Sequence, residues 1–183
     1  GDTALMIAAD RGHIEIVELL LAKLSNEQLG QVNGDGKNTL MIAMKKGHTE
    51  IVKLLLPKLS TEQLGQANIN GITALMIAAD KGPIEIVKLL LPKLSTEQLG
   101  QANKQGITAL MVAADNGHTE IVELLLANLS IEQLGQAHYL NENIDHYDID
   151  YCGDITELMI AAGKGHTKIV KLLLAKLSNE QLG

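Results

Sequence analysis

Thr73-Ala74-Leu75-Met76-Ile77-Ala78-Ala79-Asp80-Lys81-Gly82, then Pro83, then Ile84-Glu85-Ile86-Val87-Lys88-Leu89-Leu90-Leu91, recurs with few changes five times along the chain. The Leu-Met pairs of the copies begin at Leu5, Leu40, Leu75, Leu110 and Leu158, giving spacings of 35, 35, 35 and 48 residues. A fixed period in the range of about 20 to 50 residues marks a solenoid, in which each repeat buries its apolar face on the next. Such a stack offers a long surface rather than a pocket for chemistry.

Within the third copy, Thr73 precedes a run of good helix formers that closes at Gly82, so the pattern predicts a short first helix ended by a glycine reversal. Pro83 stands where the other copies carry His13, His48, His118 and His166. Proline is accepted in a helix only in its first turn, so this slot is a helix start. Beyond it Ile84, Val87, Leu90, Leu91 and Leu94 follow helical spacing while Glu85, Lys88 and Lys93 face elsewhere, which predicts an amphipathic second helix. Pro57 and Pro92 should bend or end that helix, and Ala22, Ala127 and Ala175 should let it run further. Ser95-Thr96-Glu97-Gln98-Leu99-Gly100 pairs a capping Ser with Gln three residues on, which predicts a one-turn third helix in every repeat, with Ser25, Ser60, Ser95, Ser130 and Ser178 as caps. The polar, turn-rich Gln101–Gly106 leads into the next copy as a hairpin-like loop.

Composition narrows the partners. The 183 residues carry a formal charge of -7, which argues against a nucleic-acid or anionic-membrane surface, since both need clustered Lys and Arg. A protein partner with a basic patch is the better expectation. Apolar residues make up 46%, with neither Phe nor Trp, so the core must be built from Leu, Ile, Val, Met and Ala. The single Cys152 excludes an intrachain disulfide framework and is consistent with a reducing compartment. No apolar run approaches the roughly 20 residues that span a bilayer, and no signal-peptide pattern opens the sequence. A cytoplasmic location is expected, or the host cytoplasm for a bacterium or virus living inside cells. The chain opens within one repeat and closes before another is complete, which reads as a monomeric piece cut from a longer array.

Helix, glycine turn, helix and projecting loop together resemble the ankyrin repeat. The resemblance is carried by Gly71-Ile72-Thr73-Ala74-Leu75, by Ala78-Ala79, and by Gly117-His118-Thr119-Glu120-Ile121-Val122 with Leu124-Leu125-Leu126. It covers one array over residues 1–183, with repeats near 1–33, 34–68, 69–103, 104–138 and 152–183 and an insertion at 139–151. Two departures stand out. Ala4, Ala74 and Ala109 stand where the family usually has Pro, and Met6, Met41, Met76, Met111 and Met159 where it usually has His, so thioether packing should replace a Thr to His hydrogen bond. The period is 35 rather than 33, which the extra third turn accounts for and which should alter the pitch between repeats.

The resemblance implies an all-α solenoid and a non-enzymatic module that binds a protein through loop tips and the concave face of the first helices. Carried over by position, this implicates Asp10 and Arg11; Lys37, Lys45 and Lys46; Ile69, Asn70, Ile72, Asp80 and Lys81; Lys104, Gln105, Ile107, Asp115 and Asn116; and Ile155 and Lys164. These slots vary between copies whose core scarcely changes, as a bespoke contact surface would, and as unconstrained solvent positions would too.

The insertion holds all three tyrosines, Tyr139, Tyr147 and Tyr151, close to the only cysteine. From Gln136 to Asp154 it has the acids Glu142, Asp145, Asp148, Asp150 and Asp154 and no Lys or Arg, so five of the seven net negative charges sit in one loop. Tyr147, Ile149 and Tyr151 alternate with Asp148 and Asp150, the period-two pattern of a strand with one acidic face. Tyrosines beside acids suit docking to a basic groove; a merely soluble, cheaply tolerated loop is the plain alternative. Asn141, Asn143 and Asp145 begin like a calcium loop, but His146 takes the glycine position and Cys152 that of the bidentate Glu. His138, His146 and Cys152 match no compact zinc spacing. No metal, cofactor or catalytic residue is expected, because catalysis needs one unique constellation and not five equivalent ones. The rivals are a structural spacer inside a longer array and a metal-responsive loop, in which His138, His146 and Cys152 with an Asp would hold zinc.

Overall fold

The computed structural model describes residues 1–130, 133–134, 138–139 and 154–181, of which 138–139, 154–155 and 178–181 are described by their backbone alone. The chain is predominantly helical and divides into two compact units, Gly1–Ser95 and Thr96–Gly183. In the first unit the short first helices are α1 (Ala4–Arg11), α4 (Thr39–Lys46) and α7 (Ala74–Lys81), and the second helices are α2 (Ile14–Leu21), α5 (Thr49–Leu55) and α8 (Ile84–Leu90). The one-turn helices α3 (Asn26–Leu29) and α6 (Thr61–Leu64) follow the first two pairs. α1 packs on α4 and α4 on α7, while α2 packs on α5 and α5 on α8, so the unit is a two-layer segment of an all-α solenoid. In the second unit α9 (Thr96–Leu99), α10 (Ala109–Asp115), α11 (Thr119–Asn128), α12 (Glu157–Gly163) and α13 (Thr167–Gln181) repeat the scheme, with α10 on α12 and α11 on α13.

Local chemistry explains where the helices start and stop. Each first helix is capped by a side-chain oxygen that accepts the N–H of the methionine three residues on: Thr3 at 3.2 Å, Asn38 at 3.0 Å, Thr73 at 3.3 Å, Thr108 at 3.2 Å and Thr156 at 3.4 Å. The expected sulfur compensation is visible in the first copy, where the Thr3 N–H donates to Met6 Sδ at 3.5 Å. The His/Pro slot is a helix start in the described copies, His13, His48, Pro83 and His118 each occupying the cap position. Pro57 and Pro92 end the α-helix as expected, turning its last residues into tight turns over Leu56–Lys58 and Leu91–Lys93. With alanine in that slot α11 and α13 run on, whereas α2 still stops at Leu21.

One expectation is corrected. The separate one-turn helix is present as α3, α6 and α9, and Ser25 and Ser60 make full capping boxes with Gln28 and Gln63. In the fifth repeat α13 is continuous through Gln181, so Ser178 lies inside a helix and not ahead of a separate one. The earlier copies break because Leu59, Leu94 and Leu129 adopt extended backbone before the Ser. The first and fifth copies share the same seven residues, at 22–28 and 175–181, yet α2 stops at Leu21 while α13 runs on, so helix propensity does not set the difference.

The loops are hairpins, closed by single antiparallel pairings at Val32 with Asn38, Ala67 with Thr73 and Ala102 with Thr108. At the fourth the pairing lengthens to β1 (His138–Tyr139) against β2 (Asp154–Ile155), with His138 opposite Ile155 and Tyr139 opposite Asp154. The register continues that of the other hairpins, so the inserted residues leave from a hairpin tip. Residues 140–153 lie outside the described residues, and with them the expected alternation of Tyr147, Ile149 and Tyr151.

Stacking is what buries the core. Ile51 and Ile86 are 0% and 1% exposed, each with a preceding repeat beside it, whereas the equivalent Ile16 of the first repeat is 47% exposed. Full burial of one such side chain stabilises by about 1.5–3 kcal/mol. Polar groups then fix the register of the stack. His48 Nε2 lies 3.2 Å from the carbonyl oxygen of Asp10, which can only accept, so that nitrogen carries the proton. Gln63 Nε2 donates to the carbonyl of Asn26 at 2.7 Å. The second unit repeats both contacts, His166 Nε2 to Asp115 O at 3.1 Å and Gln133 Nε2 to Thr96 O at 2.7 Å. A Cβ on Gly30 or Gly100 would collide with the Gln63 or Gln133 amide, so those positions stay glycine to let the next repeat reach in. Among the described residues no helix is long and apolar enough to cross a membrane.

Replacing His48 by Ala removes one reach-back hydrogen bond and the ring that covers Gly12, and is expected to lower stability by about 1–2 kcal/mol in urea unfolding. His13→Ala, an exposed histidine with no preceding repeat beside it, is expected to change it by less than about 0.5 kcal/mol. Equal losses in the two variants would show that the reach-back contact does not hold the stack.

Candidate interaction surface

The hairpin tips are built around an asparagine that the sequence reading passed over. Asn68 Oδ1 accepts the N–H groups of Asn70 and Ile72, both at 2.9 Å. Asn33 does the same for Asp35 and Lys37 at 3.1 and 3.0 Å, and Asn103 for Gln105 and Ile107, both at 2.9 Å. The side chain thus imitates a backbone turn and closes each tip from inside. The signal was present in the sequence as Asn at 33, 68 and 103, with His138 at the corresponding place in the fourth copy, where the insertion departs. In the first unit neighbouring hairpins also join through their backbones, the N–H of Ile69 donating to the Asp35 carbonyl at 3.0 Å. Gly36 sits at this seam with φ +72°, and a Cβ there would meet the Ile69 nitrogen at 2.9 Å.

On these pinned tips Lys37 is half-buried and pairs with Asp35 at 2.7 Å. That hydrogen bond, with the lysine's charge, holds the Asp35 carboxyl below its ordinary range. Ile69 is 53% exposed, an apolar residue held outward, with Asn70 exposed and Ile72 half-buried beside it. In the second unit Lys104 is exposed, and Gln105 and Ile107 are half-buried.

The other group lies at the far end of the first helices, about 12 Å away for a helix of eight residues. The structure therefore separates the predicted residues of each repeat into a tip row and a helix-end row. In the helix-end row, Lys46 reaches back to Asp10 of the preceding repeat at 3.1 Å, and Lys164 to Asp115 at 3.3 Å. Asp80 pairs with its own neighbour Lys81 at 3.0 Å. Lys45 stands where the first, third and fourth copies have Asp10, Asp80 and Asp115 and the fifth has Gly163, so repeat two reverses the sign of this slot. Arg11, Lys45, Lys46, Lys81, Asn116 and Lys164 are exposed. Asn116 also donates to the Val112 carbonyl at 2.9 Å, a helix-end contact within its own repeat. The Lys46–Asp10 and Lys81–Asp80 pairs are exposed and contribute at most about 1 kcal/mol each, so their charges are available to other partners, whereas Asp115 is largely buried.

Two further buried polar residues escaped the sequence reading. Asn38, besides capping α4, donates to the Gln63 carbonyl and the Gln66 side chain, both at 3.2 Å. Glu157 is buried at the start of α12, where the other copies carry Ala4, Thr39, Ala74 and Ala109. Of the insertion, Tyr139 and Ile155 belong to β1 and β2, while Glu142, Asp145, Tyr147, Asp148, Asp150, Tyr151 and Cys152 lie outside the described residues. Among the described residues no group of His, Cys, Asp and Glu is arranged to hold a metal ion.

Family models described as ankyrin repeats in three copies match residues 1–64 and 58–134, and one described as an ankyrin repeat matches residues 154–179. No curated protein matches the chain.

Asn68→Ala is expected to free the Asn70 and Ile72 amides, raising their hydrogen-exchange rates about tenfold while core amides such as Val87 keep theirs. Gly36→Ala, strained by its positive φ and by the Ile69 seam, is expected to cost about 1–3 kcal/mol, against less than about 0.5 for Gly34→Ala, whose Cβ would meet nothing within 4 Å. Both pairs of values are read by exchange NMR and urea unfolding.

Proposed function

The chain belongs to the ankyrin-repeat family, and from that premise we propose that it is a non-enzymatic binding module, one array over residues 1–183, that captures a protein partner through its hairpin tips, its first helices and its acidic, tyrosine-bearing insertion. Ankyrin repeats are in general protein-interaction modules, typically without catalysis of their own. The observation that carries the reading here is the pinned tip: Asn68 fixes the loop while Ile69 stands 53% exposed beside Asn70. A loop held in one shape loses little entropy when it binds, so its outward side chains serve as anchors. The insertion adds negative charge and aromatic area, which suits a partner with a basic patch.

The uncovered face of the first repeat favours a second reading, a spacer within a longer run of repeats. Ile16 and Leu19 are exposed there, and the equivalent Ile51 is covered by a neighbouring repeat. The two readings part in a quantitative pull-down from cells of the source organism. Ile69→Asp, and separately the replacement of Tyr147, Asp148, Asp150 and Tyr151 by Ser, are each expected to reduce capture of the same partner at least tenfold, with unfolding midpoints unchanged. Undiminished capture in both variants would remove the tips and the insertion from the interface, and no specific capture by the intact chain would leave the spacer.

A further inference from the structure

The junction between repeats two and three, inside the first unit, lacks a part that its counterparts have. Where a histidine starts the second helix, its imidazole lies over the glycine that ends the preceding first helix: a Cβ on Gly12 would meet His48 Cε1 at 2.7 Å, and one on Gly117 would meet His166 Cε1 at 2.8 Å. In both cases Nε2 donates to a carbonyl in the last turn of that helix, at Asp10 and at Asp115. In repeat three the histidine is Pro83, which has no side-chain donor. A Cβ on Gly47 would meet nothing within 4 Å. In the place of the ring is an open cleft of about 130 Å³, lined among others by Met44, Gly47, Val52, Ile77, Pro83 and Ile86. The carbonyl that corresponds to those of Asp10 and Asp115 belongs to Lys45.

The shape and chemistry of that space are defined by what fills its equivalents. Its walls are mostly aliphatic, which favours a flat apolar ring, and an engineered apolar cavity of similar size, about 150 Å³, accepts benzene. By position the Lys45 carbonyl corresponds to the acceptors at Asp10 and Asp115, and an acceptor so placed rewards a ring bearing one donor. A branched aliphatic group would meet the walls and leave the carbonyl aside. We propose that the cleft beside Pro83 is a receptor for an imidazole ring, that of a histidine presented by the partner protein, entering from solvent where His48 and His166 enter from within the chain. This assignment rests on the protein-binding reading above and adds to it one specific anchor in the helix-end row. The sign reversal at Lys45 marks the same junction, so two departures from the repeat pattern coincide there.

The test uses the whole chain and free imidazole as the probe, at pH 8 where the ring is mostly neutral. Methyl NMR is expected to show saturable shifts at Met44, Ile77 and Ile86 with half-saturation in the range of about 1–50 mM, as befits so small a ligand. Thiophene, a ring of like size without an N–H, is expected to bind at least fivefold more weakly. Pro83→His should fill the cleft from within, raise the unfolding temperature and abolish the imidazole shifts; Ile77→Phe, which narrows the cleft from the other side, should also abolish them. No saturable shift in the native chain, or equal shifts in Pro83→His, would overturn the proposal. The partner's histidine is tested separately: Pro83→His should reduce capture of the partner at least fivefold. Undiminished capture with imidazole binding intact would overturn the partner assignment alone, whereas imidazole binding without any captured protein would overturn the protein-binding reading and leave the cleft as a small-ligand site.

Discussion

An α-helix leaves its last carbonyls without partners, and in this chain the neighbouring repeat supplies them. His48 reaches the Asp10 carbonyl in the last turn of α1 and His166 that of Asp115, while Gln63 and Gln133 add a second donor to the Asn26 and Thr96 carbonyls, which already accept the Gly30 and Gly100 N–H groups. The donors and the groups they satisfy are 37 to 51 residues apart in sequence, so a repeat's helix ends are completed only when the next repeat is in place. The same arrangement covers Ile51 and Ile86 and leaves Ile16 bare. Stability therefore resides in the seams between neighbours, as nearest-neighbour repeat energetics require. It also gives the recurrent histidines a structural role, since a side chain that donates to a backbone carbonyl has its proton committed to that bond.

How much of this was legible depends on how far apart the interacting atoms are. Caps, glycine stops, proline breaks and the amphipathic second helix involve residues within about four positions of one another, and Thr73, Gly82, Pro57 and Pro92 behave as their sequence context says. The His slot was read as a helix start, which it is, but its partner lies 38 residues back and nothing local points to it. The Asn pins lay within a stretch read as polar and turn-rich. Their regular recurrence was visible, yet only loop coordinates reveal that one oxygen accepts two amides. The continuous α13 was missed for another reason: the Ser-x-Glu-Gln motif that caps α3 and α6 is also compatible with helix interior, and the extended leucine before it decides which is used.

The candidate surface was legible as a set of variable positions and not as a geometry. By sequence, Ile69 and Asp80 both belong to the third repeat and both vary between copies. In the fold a helix of about 12 Å stands between them, so they belong to different rows. The variable slots also differ in what already occupies them. Asp10, Lys46, Asp115 and Lys164 are joined across seams, and Asn116 is bonded within its own helix, which gives their identity a partly structural cause. Ile69 has no such cause among its contacts described here beyond a backbone bond that any residue could make. Variation that packing does not explain is the better guide to a contact surface.

Seam-based stability has a consequence for how such a protein acquires individuality. A change at one seam alters the energy of that seam and reaches the others only weakly, so a single junction can depart from the pattern while the rest conserve it. The junction between repeats two and three does so twice, replacing histidine by Pro83 and an acid by Lys45, while Leu75, Val87 and Leu90 beside it stay as buried as their counterparts. The fourth hairpin does so as well, exchanging the Asn pin for His138 where the insertion leaves the ladder. In both places the part removed is a side chain that closes the structure on itself, an imidazole over a glycine or an amide inside a turn. Removing a closure opens space or lengthens a loop without dismantling the stack, and that is the least costly way for a chain of near-identical repeats to present something singular.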